Sequence, residues 1–175
     1  LFTAAGVTIG NNVSGNTGLV TRAGAVGGVW DLLGGNLAVG TNTAVGNSLP
    51  LSGATITHVN NIDIGAAAGA SGNSVTIGNG ATVISGNILV GSDTDDYDPA
   101  HGNGNVLNVG GLGAASTVSN AGTVLVGNHY AGGNLGSSGN RLTVSNASLW
   151  SAGASIGRNS QTNTVTVLAD ATWNM

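Results

Sequence analysis

Residues 73–91 read Asn73-Ser-Val-Thr-Ile-Gly-Asn-Gly-Ala-Thr-Val-Ile-Ser-Gly-Asn-Ile-Leu-Val-Gly91. The stretch holds three short runs of aliphatic and polar residues, separated by Gly, Asn and Ser. Alternation with a period of two residues is typical of a β-strand with one buried face. Gly and Asn are common in tight turns because both tolerate a left-handed backbone. The stretch therefore predicts three short strands joined by turns.

The same three runs recur along the whole chain. The run that ends in Gly is found at residues 7–10, 37–40, 62–65, 88–91, 124–127 and 155–157. The run that begins with Asn is found at residues 47–51, 73–77, 105–109, 140–144 and 163–167. The third run is found at residues 54–56, 81–83, 116–118, 147–150 and 171–173. The glycines of the first run lie 30, 25, 26, 36 and 30 residues apart, which is a period typical of stacked repeats.

Three strands per period predict a coil with three faces, in which each strand pairs in parallel with its equivalent one turn later. We expect an all-β parallel β-helix, or β-solenoid, of about six three-strand turns of roughly 25–36 residues each. The rival all-β fold is a β-sandwich, whose turn signals about every 8–12 residues also occur here. The longer repeat of near-identical runs favours the solenoid, and Gly and β-branched residues disfavour helix.

Composition excludes several classes of function. Charged residues make up 6% of the chain, Lys and Glu are absent, and the formal net charge is −4. The three basic residues, Arg22, Arg141 and Arg158, are too few for nucleic-acid binding. No apolar run is long enough for a transmembrane helix. Cysteine is absent, which is compatible with passage through an oxidising compartment.

The runs at residues 73–83 and 142–150 resemble the passenger regions of bacterial autotransporters and related surface proteins. The resemblance covers most of residues 5–173 and is one of pattern and composition. It implies a right-handed parallel β-helix located outside the cell or on the bacterial cell surface. We expect residues 1–175 to form a single solenoid domain, a segment of a longer repeat protein or fibre.

The connections between the first and second strands vary in length, whereas the other two corners are more constant. These variable loops are residues 41–46, 66–72, 92–104, 128–139 and 158–162. Insertions in stacked repeats gather on one edge, which is often the binding edge. We therefore predict a binding edge formed by Tyr97, His101, His129, Tyr130, Arg141 and Arg158. The alternative is that bulky and charged residues collect in any solvated loop.

One loop carries four carboxylates, and they predict a possible calcium site. The carboxylates are Asp93, Asp95, Asp96 and Asp98. Calcium takes several oxygen ligands, but the spacing does not match the EF-hand loop. The alternative is a solvated acidic tip, and the sequence indicates no other cofactor.

Two recurrent residue types are predicted to build the fold. The Asn that begins each second strand is expected to stack at a corner and form a hydrogen-bonded ladder along the rod. Trp30, Trp150 and Trp173 recur at third strands and are expected to be core or cap residues.

The sequence favours an extracellular structural solenoid that acts as a rigid stalk, spacer, or fibre or filament element without catalysis. Its expected partners are neighbouring repeats or identical subunits stacked end to end. One alternative is an adhesin that binds a glycan or host protein through the loop edge. A second alternative is a polysaccharide-active enzyme, although no pair of preorganised carboxylates supports it.

Overall fold

The structure is a computed structural model that describes residues 1–22, 28–65, 67, 69–92, 102–128 and 137–175. Within these residues the chain forms strands and turns and contains no helix. The strands, in chain order, are β1 (Phe2–Thr3), β2 (Val7–Asn11), β3 (Val20–Thr21), β4 (Val29–Asp31), β5 (Leu37–Thr41), β6 (Ser48–Ser52), β7 (Thr55–Ile64), β8 (Ser74–Gly78), β9 (Thr82–Val90), β10 (Val106–Gly110), β11 (Ser116–Asn120), β12 (Thr123–Val126), β13 (Arg141–Ser145), β14 (Ala147–Trp150), β15 (Gly153–Ile156), β16 (Thr164–Val167) and β17 (Thr172–Asn174).

Each strand pairs in parallel with the equivalent strand one turn later, which confirms the predicted parallel β-helix. The first strands pair in the order β2, β5, β7, β9, β12 and β15. The leading aliphatic position of the Gly-ending run stays in register through every one of these pairs. That column consists of Val7, Leu37, Ile62, Ile88, Val124 and Ala154.

The strands form two sheets rather than three separate faces. The second strands make a sheet of their own, in the order β16-β13-β10-β8-β6-β3. The third and first strands share the other sheet because β7 and β9 each run through both positions without a break. The corner within β7 is formed by a register shift between Ile56 and Val59, where His58 has a φ of 50°. The sequence predicts a turn at this corner, but a bend inside a continuous strand replaces it.

The core is a narrow aliphatic column because alternation points one residue in two toward the rod axis. In the second strands, the inward residues of the four middle turns are at most 1% exposed; they are Leu49, Leu51, Val75, Ile77, Leu107, Val109, Leu142 and Val144. The next residue in the column after Val144 is Val167, which is 43% exposed. No strand of the described chain lies on the far side of β16, so Val167 is exposed, whereas the other inward residue of β16, Val165, is partly buried against the core.

The three tryptophans do not share one role. Trp30 and Trp173 lie in the inward column of the third strands, in register with Ile56 and Leu149 respectively. Both pack against the core, as expected of core or cap residues. Trp150 follows Leu149 and falls on the outward side of β14, where it is 52% exposed. The prediction is wrong for Trp150, because alternation turns the residue after an inward Leu toward solvent.

Candidate functional site

An asparagine ladder runs along one corner of the rod. The backbone N–H of each ladder residue donates to the Oδ1 atom of the next at 2.9 Å, in all five steps. Each side-chain Nδ2 also donates to the same Oδ1 atom, at 2.9 to 3.2 Å. The ladder residues are Asn16, Asn47, Asn73, Asn105, Asn140 and Asn163. The structure confirms the predicted ladder.

The ladder also fastens the loops that precede the second strands. The Nδ2 atoms of Asn73 and Asn105 donate to the backbone oxygens of Ala44 and Ala70, each in the loop one turn earlier, at 3.1 Å. The four inner ladder residues, Asn47 to Asn140, are fully buried. Buried polar groups are costly unless they are hydrogen-bonded, and here the bonds are made. Because the ladder fixes the base of each loop, the loop beyond it can vary in length.

At the end of five of the six first strands a glycine is required because the ladder occupies the space beside it. Gly40 has a φ of 73°, and a Cβ atom there would overlap the carboxamide of Asn73. The same overlap recurs at the equivalent glycines, which are Gly10, Gly65, Gly91 and Gly127. The Gly of the first run and the Asn of the second are therefore parts of one contact between successive turns.

Of the predicted loop-edge residues, the structure describes Arg141 and Arg158. Arg141 is the exposed first residue of β13, and Arg158 lies in the loop after β15, where its backbone N–H donates to Asn128 Oδ1 at 3.2 Å. The other predicted binding residues, Tyr97, His101, His129 and Tyr130, lie outside the described residues. The acidic residues proposed for calcium, Asp93, Asp95, Asp96 and Asp98, lie outside them too. In the described residues, no three His, Asp or Glu side chains gather into a metal-binding group.

An aspartate–histidine pair stabilises a corner near the start of the rod. Asp31 Oδ1 accepts the backbone N–H of Leu33 at 2.9 Å and lies 2.9 Å from His58 Nδ1. The hydrogen bond from Leu33, and then that from His58, lower the pKa of Asp31 below its ordinary value. The His58 side chain is 69% exposed. The pair holds two left-handed residues, Leu33 and His58, in adjacent turns.

A second aspartate, Asp63, lies in a shallow depression on the outer face of the first strands. Asp63 pairs with Ala38 on β5 and Leu89 on β9. All three occupy outward positions, yet Ala38 is 7% exposed and Leu89 is 2% exposed. This surface is therefore recessed. The depression has a volume of about 230 Å³ and is lined by Asn36, Thr41, Asn61, Asp63, Ala67, Leu89 and Ser92.

The Asp63 carboxyl is poorly solvated. Asn36 Nδ2 donates to Asp63 Oδ2 at 3.0 Å, and Asn60 Nδ2 donates in turn to Asn36 Oδ1 at 3.1 Å. Burial raises the pKa of Asp63 to about 6, and the Asn36 hydrogen bond offsets only part of that rise. Alternation with the buried Ile62 and Ile64 places Asp63 outward, but it does not predict the recess. One signal is the run Ile88-Leu-Val90, in which an aliphatic residue replaces the expected polar one.

Comparison with known proteins finds no relative. No protein-family model, curated protein or solved structure matches this chain. The resemblance to autotransporter passengers therefore stays a prediction. Among the described residues, the structure has no apolar helix of membrane-spanning length.

Proposed function

We propose that this chain is an extracellular structural solenoid, a rigid stalk, spacer or filament element of an autotransporter-like surface protein. The observation that carries the proposal is the unbroken asparagine ladder, which joins six successive turns through paired hydrogen bonds. Each turn adds about 4.8 Å to the stack, so six turns extend on the order of 30 Å. Its partners are further repeats or identical subunits stacked end to end.

The contacts between turns support a mechanical role. Bending the rod would stretch the Asn–Asn hydrogen bonds on one side together with the parallel strand pairs beside them. The core residues lie on the rod axis and pack against the turns above and below, so a turn cannot tilt without opening the core. The near absence of Lys and Arg also leaves few sites for proteases that cleave after basic residues. These features suit a surface-exposed spacer.

Electron microscopy of the native material tests this proposal. We expect rods or filaments of uniform width. A matched sample carrying Asn73→Ala and Asn105→Ala should give irregular or shortened particles, because two adjacent ladder steps are removed. Native material made of isolated compact particles would contradict the structural role.

An adhesin is the second candidate function, and the position of the Asp63 depression favours it. Ala67 and Ser92, which line the depression, belong to the loop segments at residues 66–72 and 92–104. A recess beside variable loops is a common setting for ligand binding. Deletion of residues 92–104 and 128–139 should abolish binding to a glycan or host protein while the rod persists. Binding that survives both deletions would exclude the loop edge.

A further inference from the structure

We propose that the Asp63 depression binds a primary ammonium group, of the kind that the lysine side chain of a partner protein presents. The inference goes beyond the structural role, since a chain that formed no filament would still carry the site. It rests on the carboxylate, on the groups around it and on the size of the recess.

The first argument is an uncompensated charge. A half-buried carboxylate without a cationic partner is costly, and an opposite charge in contact with it relieves the cost. In the described part of the chain, the hydrogen-bond donor to Asp63 is the neutral amide of Asn36. The chain contains no Lys and only three Arg, so its own cations are scarce. A cation supplied from outside would complete this site.

The second argument is the chemistry of the lining. Asp63 and Thr41 line the recess, and within the described residues neither Asp63 Oδ1 nor Thr41 Oγ1 takes part in a hydrogen bond. They provide two acceptors for the hydrogens of an ammonium group. Leu89 and Ala67 provide an aliphatic surface, against which the methylenes of a lysine side chain can lie. The recess of about 230 Å³ is smaller than a typical drug-sized pocket and suits one short alkylammonium chain.

Other ligand classes fit the recess less well. A calcium ion needs six or more oxygen ligands, and no group of three acidic or His side chains is present in the described residues. An arginine side chain binds best to both oxygens of a free carboxylate, whereas Oδ2 of Asp63 already accepts the Asn36 amide. A neutral sugar could hydrogen-bond to the lining, but it would leave the carboxylate charge uncompensated.

The experiment is a titration of the isotope-labelled full chain with n-butylammonium chloride, monitored by NMR through the amide chemical shifts. We expect saturable shifts at Asp63, Thr41 and Leu89. Asp63→Asn should weaken binding by at least about tenfold, because it removes the charge and keeps the shape. Asp170→Asn removes one exposed carboxylate elsewhere and should leave binding unchanged. Tetramethylammonium chloride, which has no N–H donor, controls for ionic strength and should not saturate the site.

Three results would overturn the proposal. One is the absence of saturable shifts in the unmodified chain. Another is equal binding by the Asp63→Asn variant. The third is saturation by methyl β-glucoside but not by n-butylammonium, which would assign the recess to neutral carbohydrate. If Asp63→Asn does not fold, the carboxyl ¹³C shift of Asp63 in the unmodified chain decides, because bound ammonium must lower the pKa of that carboxyl.

Discussion

Gly40 lies directly against the carboxamide of Asn73, which belongs to the next turn of the rod. The contact joins the end of one strand to the start of another 33 residues later in the sequence. It leaves no room for a Cβ atom on Gly40, and it positions the Asn73 side chain to accept hydrogen bonds from Asn47. The spacing of the turns at this corner therefore depends on a glycine and an asparagine together.

Gly40→Ala should destabilise the fold far more than Gly46→Ala. Both glycines have positive φ, at 73° and 68°, so both substitutions cause backbone strain of about 1–2 kcal/mol. A Cβ on Gly46 would meet nothing within 4 Å, whereas one on Gly40 would overlap Asn73. We expect the free energy of unfolding to fall by about 3–5 kcal/mol for Gly40→Ala, because overpacking adds to the strain. Urea denaturation measures the free energy of unfolding of both variants. Equal losses of stability would show that steric overlap with Asn73 is unimportant.

Asn73→Ala should be more damaging than Asn16→Ala. Removing the Asn73 carboxamide leaves the buried N–H of Asn47 without its acceptor. It also removes one of two hydrogen bonds from Asn47 Nδ2, which still donates to Val13, and one of two from the oxygen of Ala44, which still accepts from Ser71. One buried group left unsatisfied costs about 1–3 kcal/mol and each further lost hydrogen bond costs about 0.5–1.5 kcal/mol, so we expect a loss of roughly 3–5 kcal/mol. Asn16 begins the ladder and its side chain is exposed, so the same change there should cost about 1 kcal/mol or less. Hydrogen exchange at the Asn47 amide should accelerate in the first variant, and a protected amide would contradict the ladder's role.

Asp63→Asn should stabilise the chain at neutral pH. The folded pKa of about 6 lies above the ordinary value of 3.8, so the folded state holds its proton more tightly than the unfolded state. The carboxyl therefore makes the unmodified chain less stable as pH rises from 3.8 to about 6, and its effect is constant above that window. A shift of about two units corresponds to about 3 kcal/mol at most.

Chemical denaturation at several pH values checks the Asp63→Asn prediction. At about pH 7.5 the variant should have a higher free energy of unfolding than the unmodified chain. The difference should vanish below the ordinary carboxyl pKa. Asp31→Asn should instead destabilise the chain at neutral pH. The lowered pKa of Asp31 contributes stability that is present above pH 3.8 and is lost as the pH falls through the folded pKa. A gain from Asp63→Asn that persists at acidic pH would point to a cause other than ionisation.

Val144→Ala should cost more than Val167→Ala, although the two residues are neighbours in one inward column. Val144 is fully buried and its removal leaves a cavity, so we expect a loss of about 2 kcal/mol. Val167 is 43% exposed, and truncation there should cost less than about 1 kcal/mol. Thermal unfolding of the two variants provides the measurement. An equal loss at both positions would indicate that β16 is covered in solution.

The fold could be predicted because its determinants repeat. A single Asn at the start of a strand says little, but Asn47, Asn73 and Asn105 at matching positions predict a stacked corner, and the ladder is there. The Asp63 recess could not be predicted in the same way, because the burial of Leu89 depends on what surrounds it in three dimensions. Trp150 shows a different limit of prediction from sequence. The sequence places Trp150 in the third run, but the face of the strand on which its side chain lies depends on the register. A shift of one residue moves the side chain to the opposite face.

The ladder also gives the rod a net dipole along its axis, which its few charged residues do not provide. At every step the hydrogens belong to the earlier turn and the oxygen to the later one, so all the amide dipoles point the same way. Aligned hydrogen bonds polarise one another, and each strengthens its neighbours. A break in the middle divides one long polarised chain into two shorter ones, whereas a break at either terminus only shortens it. The sensitivity of this protein to amide substitution should therefore follow position along the axis, with its maximum near the midpoint.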